Sequence, residues 1–197
     1  MSQVGILAFG SLIHEPGQEL EPRIATRIKT KTPFPVEYGR YSGSTRGGAP
    51  TLVPHPMGTP VAAEILVLDD SVTVDDARGM LWRRERRKVG SGERYVEGTS
   101  PHSVLVRQFN EDPRVSTVLY TDFHDAGKIP NPTAGELTEH AIHSVEVAAE
   151  GKDGITYLMN AINCGIETPL TRAYRDEILG QTNTQTLEEA LRTLKDQ

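Results

Sequence analysis

A short apolar run near the start of the chain stops abruptly at a glycine. Residues 4–9 form the run, and Gly10 and Ser11 follow it directly. This pattern predicts a buried strand that ends in a tight turn. Because Gly10 has no Cβ atom, the turn can adopt unusual dihedrals and present backbone N–H groups to a ligand. Such groups suit a carboxylate or a developing oxyanion, although an ordinary strand-to-loop turn would have the same sequence.

Three further segments predict strands in the first part of the chain. Residues 61–68 are almost continuously apolar, which indicates a strand buried on both faces. Residues 104–106 and 115–120 predict two more strands, and the sequence Asn-Glu-Asp-Pro at 110–113 predicts a turn between them. The part of the chain at about 4–130 is therefore expected to be β-rich.

Helices are predicted after four threonines, one in the first part of the chain and three in the second. These are Thr73, and then Thr133, Thr168 and Thr186. Three of them are followed three residues later by an acidic residue, which is the spacing of a capping box. The fourth precedes a proline and predicts a helix that stops at Gly180. We expect the region at about 133–197 to be mainly helical.

Together these patterns predict an α+β protein in which a small mixed β-barrel or curled sheet is flanked by helices. The 197 residues are most simply one domain, 1–197, which is large enough to form a proper core. Within it, the β-rich part comes first and the helical region last.

Composition limits the partners that we expect. The chain contains no apolar run of 18 residues, so no membrane association is expected, and the absence of a signal-peptide pattern makes a cytoplasmic location the default. The net charge of −6 disfavours a nucleic-acid partner. No metal or nucleotide signature is present, and we therefore expect no cofactor. Oligomeric state has no signature in the sequence.

A glutamate lies on the predicted helix that follows Thr73. The apolar residues Ala77 and Leu81 mark the inward face of this helix, and Glu85 is four residues beyond Leu81. A carboxylate beside that face is either paired or functional, because burying it without a partner is costly. Arginines at 83, 84, 86 and 87 surround it, so a solvated salt-bridge face is the alternative.

Four blocks, in the correct order, resemble the γ-glutamylcyclotransferase superfamily. Phe9-Gly10-Ser11-Leu12 resembles the family signature Tyr-Gly-Ser-Leu/Asn, with phenylalanine in place of tyrosine. Residues 46–54 are similar to the family strand Gly-Ala-Pro-Thr-Leu-Val-Pro. Residues 61–68 resemble the next strand, with alanine and leucine where the family has glycine and tyrosine. Residues 153–158 resemble a segment of the ChaC-like branch.

The resemblance implies a small barrel with peripheral helices and a cofactor-free enzyme. Such an enzyme converts a γ-glutamyl amide or peptide, glutathione included, to 5-oxoproline and the released amine or amino acid. The implied partner is thus a small-molecule γ-glutamyl substrate. By the same resemblance Phe9, Gly10, Ser11 and Leu12 bind the substrate, and Glu85 occupies the place of the catalytic acid/base.

The arginines beside Glu85 depart from the acidic neighbourhood that the family usually has at this place. The alternative is therefore a non-catalytic binding module of the same fold that holds a small carboxylate ligand. An adaptor that uses the basic helix to bind RNA or protein is a third alternative. Formation of 5-oxoproline would distinguish the enzyme from the binding module and the adaptor.

Overall fold

The computed structural model describes residues 3–110 and 113–196, and these residues form an α+β protein. Its strands are β1 (Val4–Ala8), β2 (Ile24–Lys31), β3 (Val36–Tyr41), β4 (Pro50–Pro54), β5 (Ala62–Leu68), β6 (Val104–Phe109) and β7 (Thr117–Phe123). Its helices are α1 (Val74–Arg86), α2 (Ala134–Val147), α3 (Gly154–Asn163), α4 (Thr171–Thr182) and α5 (Leu187–Lys195). No helix in the described ranges is long and apolar enough to cross a bilayer.

Two compact units make up the chain. The first unit comprises Met1–Thr32 and Ala62–Gly127, and the second comprises Pro33–Val61 and Lys128–Gln197. The first unit contains the mixed sheet and α1. The second contains the hairpin of β3 and β4 together with the other four helices of the described residues.

The first unit is built on a five-stranded sheet in the order β2-β5-β1-β7-β6. Strand β1 pairs in parallel with β7 and antiparallel with β5, and all five of its residues are buried. Helix α1 packs against β1, β6 and β7. Among the described residues the strands form no closed barrel, because β2 and β6 remain the two edges of the sheet.

The structure confirms the strands that the apolar runs predicted in this unit. The run at 61–68 is β5 (Ala62–Leu68), which lies between β2 and β1, and its last four residues are all buried. The hairpin of β6 and β7 is also as expected. The predicted turn at 110–113 includes positions 111 and 112, which lie outside the described residues.

One strand of this sheet, β2, was not predicted. Most of its side chains are exposed or half-buried, and charged residues alternate with isoleucine and threonine along it. It is an edge strand, and edge strands are commonly charged because charge discourages pairing with another chain. An apolar pattern is therefore absent from its sequence.

The second unit combines the β3–β4 hairpin with helices α2 to α5. Three tyrosines pack edge to face in its interior: the Tyr38 ring centroid lies 6.4 Å from that of Tyr157 and 5.2 Å from that of Tyr174. The Tyr157 hydroxyl accepts a hydrogen bond from the backbone N–H of Leu52 at 3.3 Å, which ties α3 to β4. Unit 2 therefore has its own core.

Most of the helix starts are as predicted, but the predicted cap at Thr168 and the predicted end at Gly180 are both wrong. The N-cap residue of α4 is Leu170. Side chains of Thr133 and Thr186 accept hydrogen bonds from backbone N–H groups at the starts of α2 and α5. Helix α4 begins at Thr171 without a side-chain cap and continues through Gly180 to Thr182. The left-handed position that ends it belongs to Asn183, with φ of 52°, and asparagine tolerates that conformation well.

Candidate active site

The turn that follows β1 is a single 3₁₀ turn from Gly10 to Leu12. Gly10 has φ of 65°, in the left-handed region that favours glycine. The N–H of Ile13 donates to the carbonyl of Gly10 at 3.2 Å, and the N–H of Glu15 donates to that of Ser11 at 2.9 Å. These bonds hold the chain from the end of β1 to Glu15 in a compact form.

The same turn sets which N–H groups can face a ligand. In a 3₁₀ turn each N–H bonds the carbonyl three residues earlier, so the first two N–H groups have no acceptor within the turn. Here these belong to Gly10 and Ser11, and the N-cap residue, Phe9, makes no side-chain capping hydrogen bond to them. The third N–H, of Leu12, closes the turn, and the Leu12 side chain is buried. Gly10 and Ser11 are therefore the better donors.

Glu85 lies in the last turn of α1. The helix begins with a capping box between Thr73 and Asp76, and it buries Ala77 and Leu81. The Glu85 side chain is 21% exposed, which is consistent with a place beside the inward face. Its Oε1 atom accepts a hydrogen bond from Arg84 Nη1 at 2.5 Å. Among the described residues no partner is recorded for the second carboxylate oxygen.

Arg84 joins this glutamate to the turn. Its Nε and Nη2 atoms donate to the carbonyl of Glu15 at 3.0 and 2.6 Å, and Nη2 also lies 3.4 Å from Ser11 Oγ. The Arg84 side chain is only 15% exposed, so its bonds to Glu85 and Ser11 are partly shielded from water, whereas its bonds to the Glu15 carbonyl are exposed. The structure thus brings Glu85 and the Ser11 side chain to the same guanidinium. A direct contact between Glu85 and the turn is not recorded among the described residues.

A second arginine–glutamate pair lies on the same segment, and the sequence analysis missed it. Arg27 Nη1 donates to the carbonyl of Ile13 at 2.7 Å and lies 3.3 Å from Glu64 Oε2. Glu64 is opposite Ala8 in the β1–β5 register, so its side chain stands beside the end of β1. It is 20% exposed. The available signal was a carboxylate inside the apolar run at 61–68.

The segment after α1 is fastened to the helix by Arg83. Its Nε donates to both carboxylate oxygens of Glu19, at 3.2 and 2.9 Å, and its Nη1 donates to the carbonyl of Glu93 at 2.7 Å. The N–H of Gly90 donates to the same Glu19 carboxylate at 2.6 Å. These bonds fix the chain on either side of the last turn of α1.

Two polar side chains, Tyr95 and Arg46, have partners within their own units. Tyr95 belongs to the first unit, where its hydroxyl accepts from the N–H of Val106 at 3.2 Å. Arg46 belongs to the second unit, where its Nη1 donates to the carbonyl of Lys152 at 3.5 Å and its guanidinium lies 5.2 Å from the Tyr157 ring centroid. Both have local structural contacts.

The second unit contains a fully buried carboxylate. Glu37 accepts hydrogen bonds from the N–H groups of Tyr38 at 2.9 Å and Leu170 at 3.2 Å. Burial raises the pKa of Glu37 above its ordinary value of 4.5, while these hydrogen bonds oppose the shift. The carboxylate satisfies two backbone donors, which indicates a structural role within this unit.

A groove of about 440 Å³ in the second unit is lined by Met159, Ile162, Asn163, Arg175, Leu179, Gln185, Thr186, Leu187 and Glu188. The described ranges contain no group of three or more histidine, cysteine, aspartate or glutamate residues that could hold a metal ion.

No protein-family model matches this chain, and no curated protein matches its sequence.

Proposed function

We propose that this chain is a γ-glutamylcyclotransferase-like enzyme that converts a γ-glutamyl amide or peptide to 5-oxoproline and the released amine or amino acid. The observation that carries the proposal is the Arg84 side chain. It contacts the Glu85 carboxylate and the Ser11 hydroxyl at once, although 73 positions separate Arg84 from Ser11. The candidate base and the candidate substrate-binding turn therefore share one neighbourhood in the first unit.

In the proposed reaction the substrate supplies its own nucleophile. The α-amino nitrogen attacks the γ-carbonyl carbon, a C–N bond forms to close the five-membered ring, and the original γ-amide C–N bond breaks. Glu85 accepts a proton from the α-ammonium group and returns a proton to the leaving nitrogen. In this proposal the N–H groups of Gly10 and Ser11 hold a substrate carboxylate or the carbonyl oxygen as it gains charge.

The proposal includes the cyclotransferase-like fold, with a small barrel and peripheral helices. The mixed sheet and the helical C-terminal region support it, whereas the strand pairings alone leave the sheet open. The reaction requires no cofactor, and we propose a cytoplasmic location and a small-molecule substrate without a nucleic-acid partner.

A specific observation favours the alternative, a binding module of the same fold. One oxygen of Glu85 is already occupied by the Arg84 guanidinium, which leaves a single oxygen for proton transfer. A module that held a carboxylate ligand would need only the N–H groups of the turn and the arginines beside Glu85. The two functions differ in whether the γ-amide bond is broken.

Incubation with a panel of γ-glutamyl compounds, followed by detection of 5-oxoproline, tests the proposal. The panel should include γ-glutamyl amino acids, γ-glutamyl amines and glutathione. Release of 5-oxoproline that depends on Glu85 supports the enzyme. Ligand binding without 5-oxoproline supports the binding module. Glu177→Gln, an exposed glutamate of the second unit, is the control for charge removal.

A further inference from the structure

Strand β2 leaves one edge of the mixed sheet open. It is the first strand of the sheet and pairs only with β5, so its outer N–H and C=O groups have no strand partner among the described residues. The register with β5 shifts between Ile24 and Thr26, and it is continuous from Thr26 to Lys31. Most of the side chains in this stretch are exposed. These six residues therefore form a template about 20 Å long for an added strand.

The same edge carries positive charge that no neighbouring carboxylate balances. Arg27, Lys29 and Lys31 occupy alternate positions and so point to the same face of the sheet. Arg27 pairs with Glu21 and Glu64, whereas within the described ranges no ion pair is recorded for Lys29 or Lys31. Lys29 is opposite Glu64 in the β2–β5 register, but that carboxylate lies 3.3 Å from Arg27. Two exposed ammonium groups therefore lie two positions apart on the open strand.

A second copy of this chain is a poor partner for the edge. Two identical strands that pair antiparallel about a twofold axis place residues of the same face opposite each other, because the side-chain period is two. Every such register of β2 centred between Arg27 and Lys31 sets one cation directly opposite another, which is destabilising. The charges thus oppose pairing between two copies, but they favour a partner strand that carries carboxylates.

We propose that β2 binds an extended acidic peptide segment, which adds to the mixed sheet as a sixth strand. Main-chain hydrogen bonds to the open edge supply affinity, and side chains at alternate positions supply specificity. Carboxylates two positions apart in the partner meet Lys29 and Lys31, because both strands have the same repeat. The intervening residues of the partner lie beside Ile28 and Thr30, which are half-buried, so β-branched side chains fit there. This surface takes no part in the proposed reaction.

The test measures the affinity of the whole chain for three short peptides with blocked ends by isothermal titration calorimetry. The first contains Glu-Val-Glu-Val-Glu, and the second has glutamine in place of each glutamate. The third contains Glu-Glu-Val-Val-Glu, which has the same composition but no two glutamates at alternate positions. We expect the first peptide to bind about tenfold more tightly than the glutamine peptide, the order expected of two exposed ion pairs, and more tightly than the reordered one.

Two double variants assign this preference to β2. Lys29→Gln combined with Lys31→Gln should remove the difference between the glutamate and glutamine peptides. Arg192→Gln combined with Lys195→Gln is the matched control, because it removes two exposed cations from α5 and changes the net charge equally. The control should retain the preference.

Methylation of the peptide backbone tests whether a strand is added. In an extended chain the N–H groups of alternate residues point to the same edge, so those of the glutamates face one side and those of the valines the other. N-methylation of one set should therefore abolish binding of the first peptide, and N-methylation of the other set should leave it nearly unchanged. With the first peptide bound, every second N–H of β2 should gain protection from hydrogen exchange.

Other results would overturn the inference. Equal affinity for the glutamate and glutamine peptides would do so, as would an equal effect of the two methylation patterns, because charge attraction without strand pairing would then explain binding. Absence of binding at millimolar peptide would also overturn it. A uridine oligonucleotide is the last probe. If it binds as tightly as the first peptide and depends equally on Lys29 and Lys31, these lysines form a general polyanion surface and not a peptide site.

Discussion

The guanidinium of Arg84 donates to the main-chain carbonyl of Glu15 at 2.6 Å, across 69 positions of sequence. Arg27 makes an equivalent bond to the carbonyl of Ile13 at 2.7 Å. The segment between Ser11 and Glu15 is therefore held by two arginines, and each arginine is itself paired with a glutamate. Through these arginines, the carboxylates of Glu64 and Glu85 are held near the segment that follows the turn.

The first prediction concerns which of these carboxylates acts as the base. We expect Glu85→Gln to lower turnover of a γ-glutamyl substrate by about 10²–10⁴-fold, the usual contribution of a general base. Glu64→Gln is the matched comparison, because Glu64 is equally exposed and also pairs with an arginine. It should retain most of the activity. Steady-state kinetics of 5-oxoproline release check both variants.

The opposite pattern would move the role to the other carboxylate. If Glu64→Gln loses activity and Glu85→Gln retains it, the family position of the glutamate has been misassigned. Equal rates for all three proteins would mean that neither carboxylate is the base.

The second prediction concerns the stability of the segment that Arg84 holds. Arg84→Met keeps much of the side-chain length but leaves the carbonyl of Glu15 and the Glu85 carboxylate without their donor. We expect a loss of about 0.5–1.5 kcal/mol in the free energy of unfolding, the usual net contribution of an intramolecular hydrogen bond. Urea denaturation measures it, and hydrogen exchange should increase at Glu15. Arg87→Met, at an exposed site, is the control.

The third prediction concerns the turn as a ligand site. In an amide-detected NMR titration with 5-oxoproline, we expect the signals of Gly10 and Ser11 to shift more than those of the second unit. Gly10→Ala should weaken this binding and cost about 1–2 kcal/mol of stability, because φ of 65° is unfavourable for alanine. Unchanged Gly10 and Ser11 signals at saturating ligand would contradict the assignment.

The fourth prediction is a pH dependence that originates from Glu37. Because burial raises the pKa of Glu37 in the folded state, the native protein binds its proton more tightly than the unfolded chain does. The resulting stabilisation is complete below the unfolded pKa, near 4.5, and is lost as the pH rises through the folded value. Urea denaturation of the parent and of Glu37→Gln between about pH 4 and 7 tests this. The difference in stability should change across that range, and a constant difference would contradict the prediction.

The parts of the fold that the sequence predicted depend on local patterns. Strand β1, the buried strand β5 and the capping box at Thr73 each follow from residues within a few positions of one another. The end of α4 was wrong because a glycine inside a helix and a glycine that ends one look alike locally. Asn183, three residues later, takes the terminal conformation instead.

The candidate site was only half predictable. Glu85 and the glycine turn were identified from residue type and from helix or strand position. Their connection through Arg84 could not be predicted from the sequence. It joins positions 73 apart and depends on how the sheet brings α1 next to the end of β1. The Arg27–Glu64 pair was missed for the same reason: it joins β2, a strand without an apolar pattern, to β5.

Because Arg84 also donates to a main-chain carbonyl, the positions of Arg84 and Glu85 cannot be exchanged without loss of a hydrogen bond. Exchanging the two side chains would preserve the opposite charges but would put a carboxylate where the carbonyl of Glu15 needs a donor. A carboxylate accepts hydrogen bonds and cannot supply that proton. The double substitution that exchanges the two charges, which often preserves a surface ion pair, would therefore not preserve the bonds of Arg84. Among the side chains that donate, only arginine offers a planar fork to both neighbours.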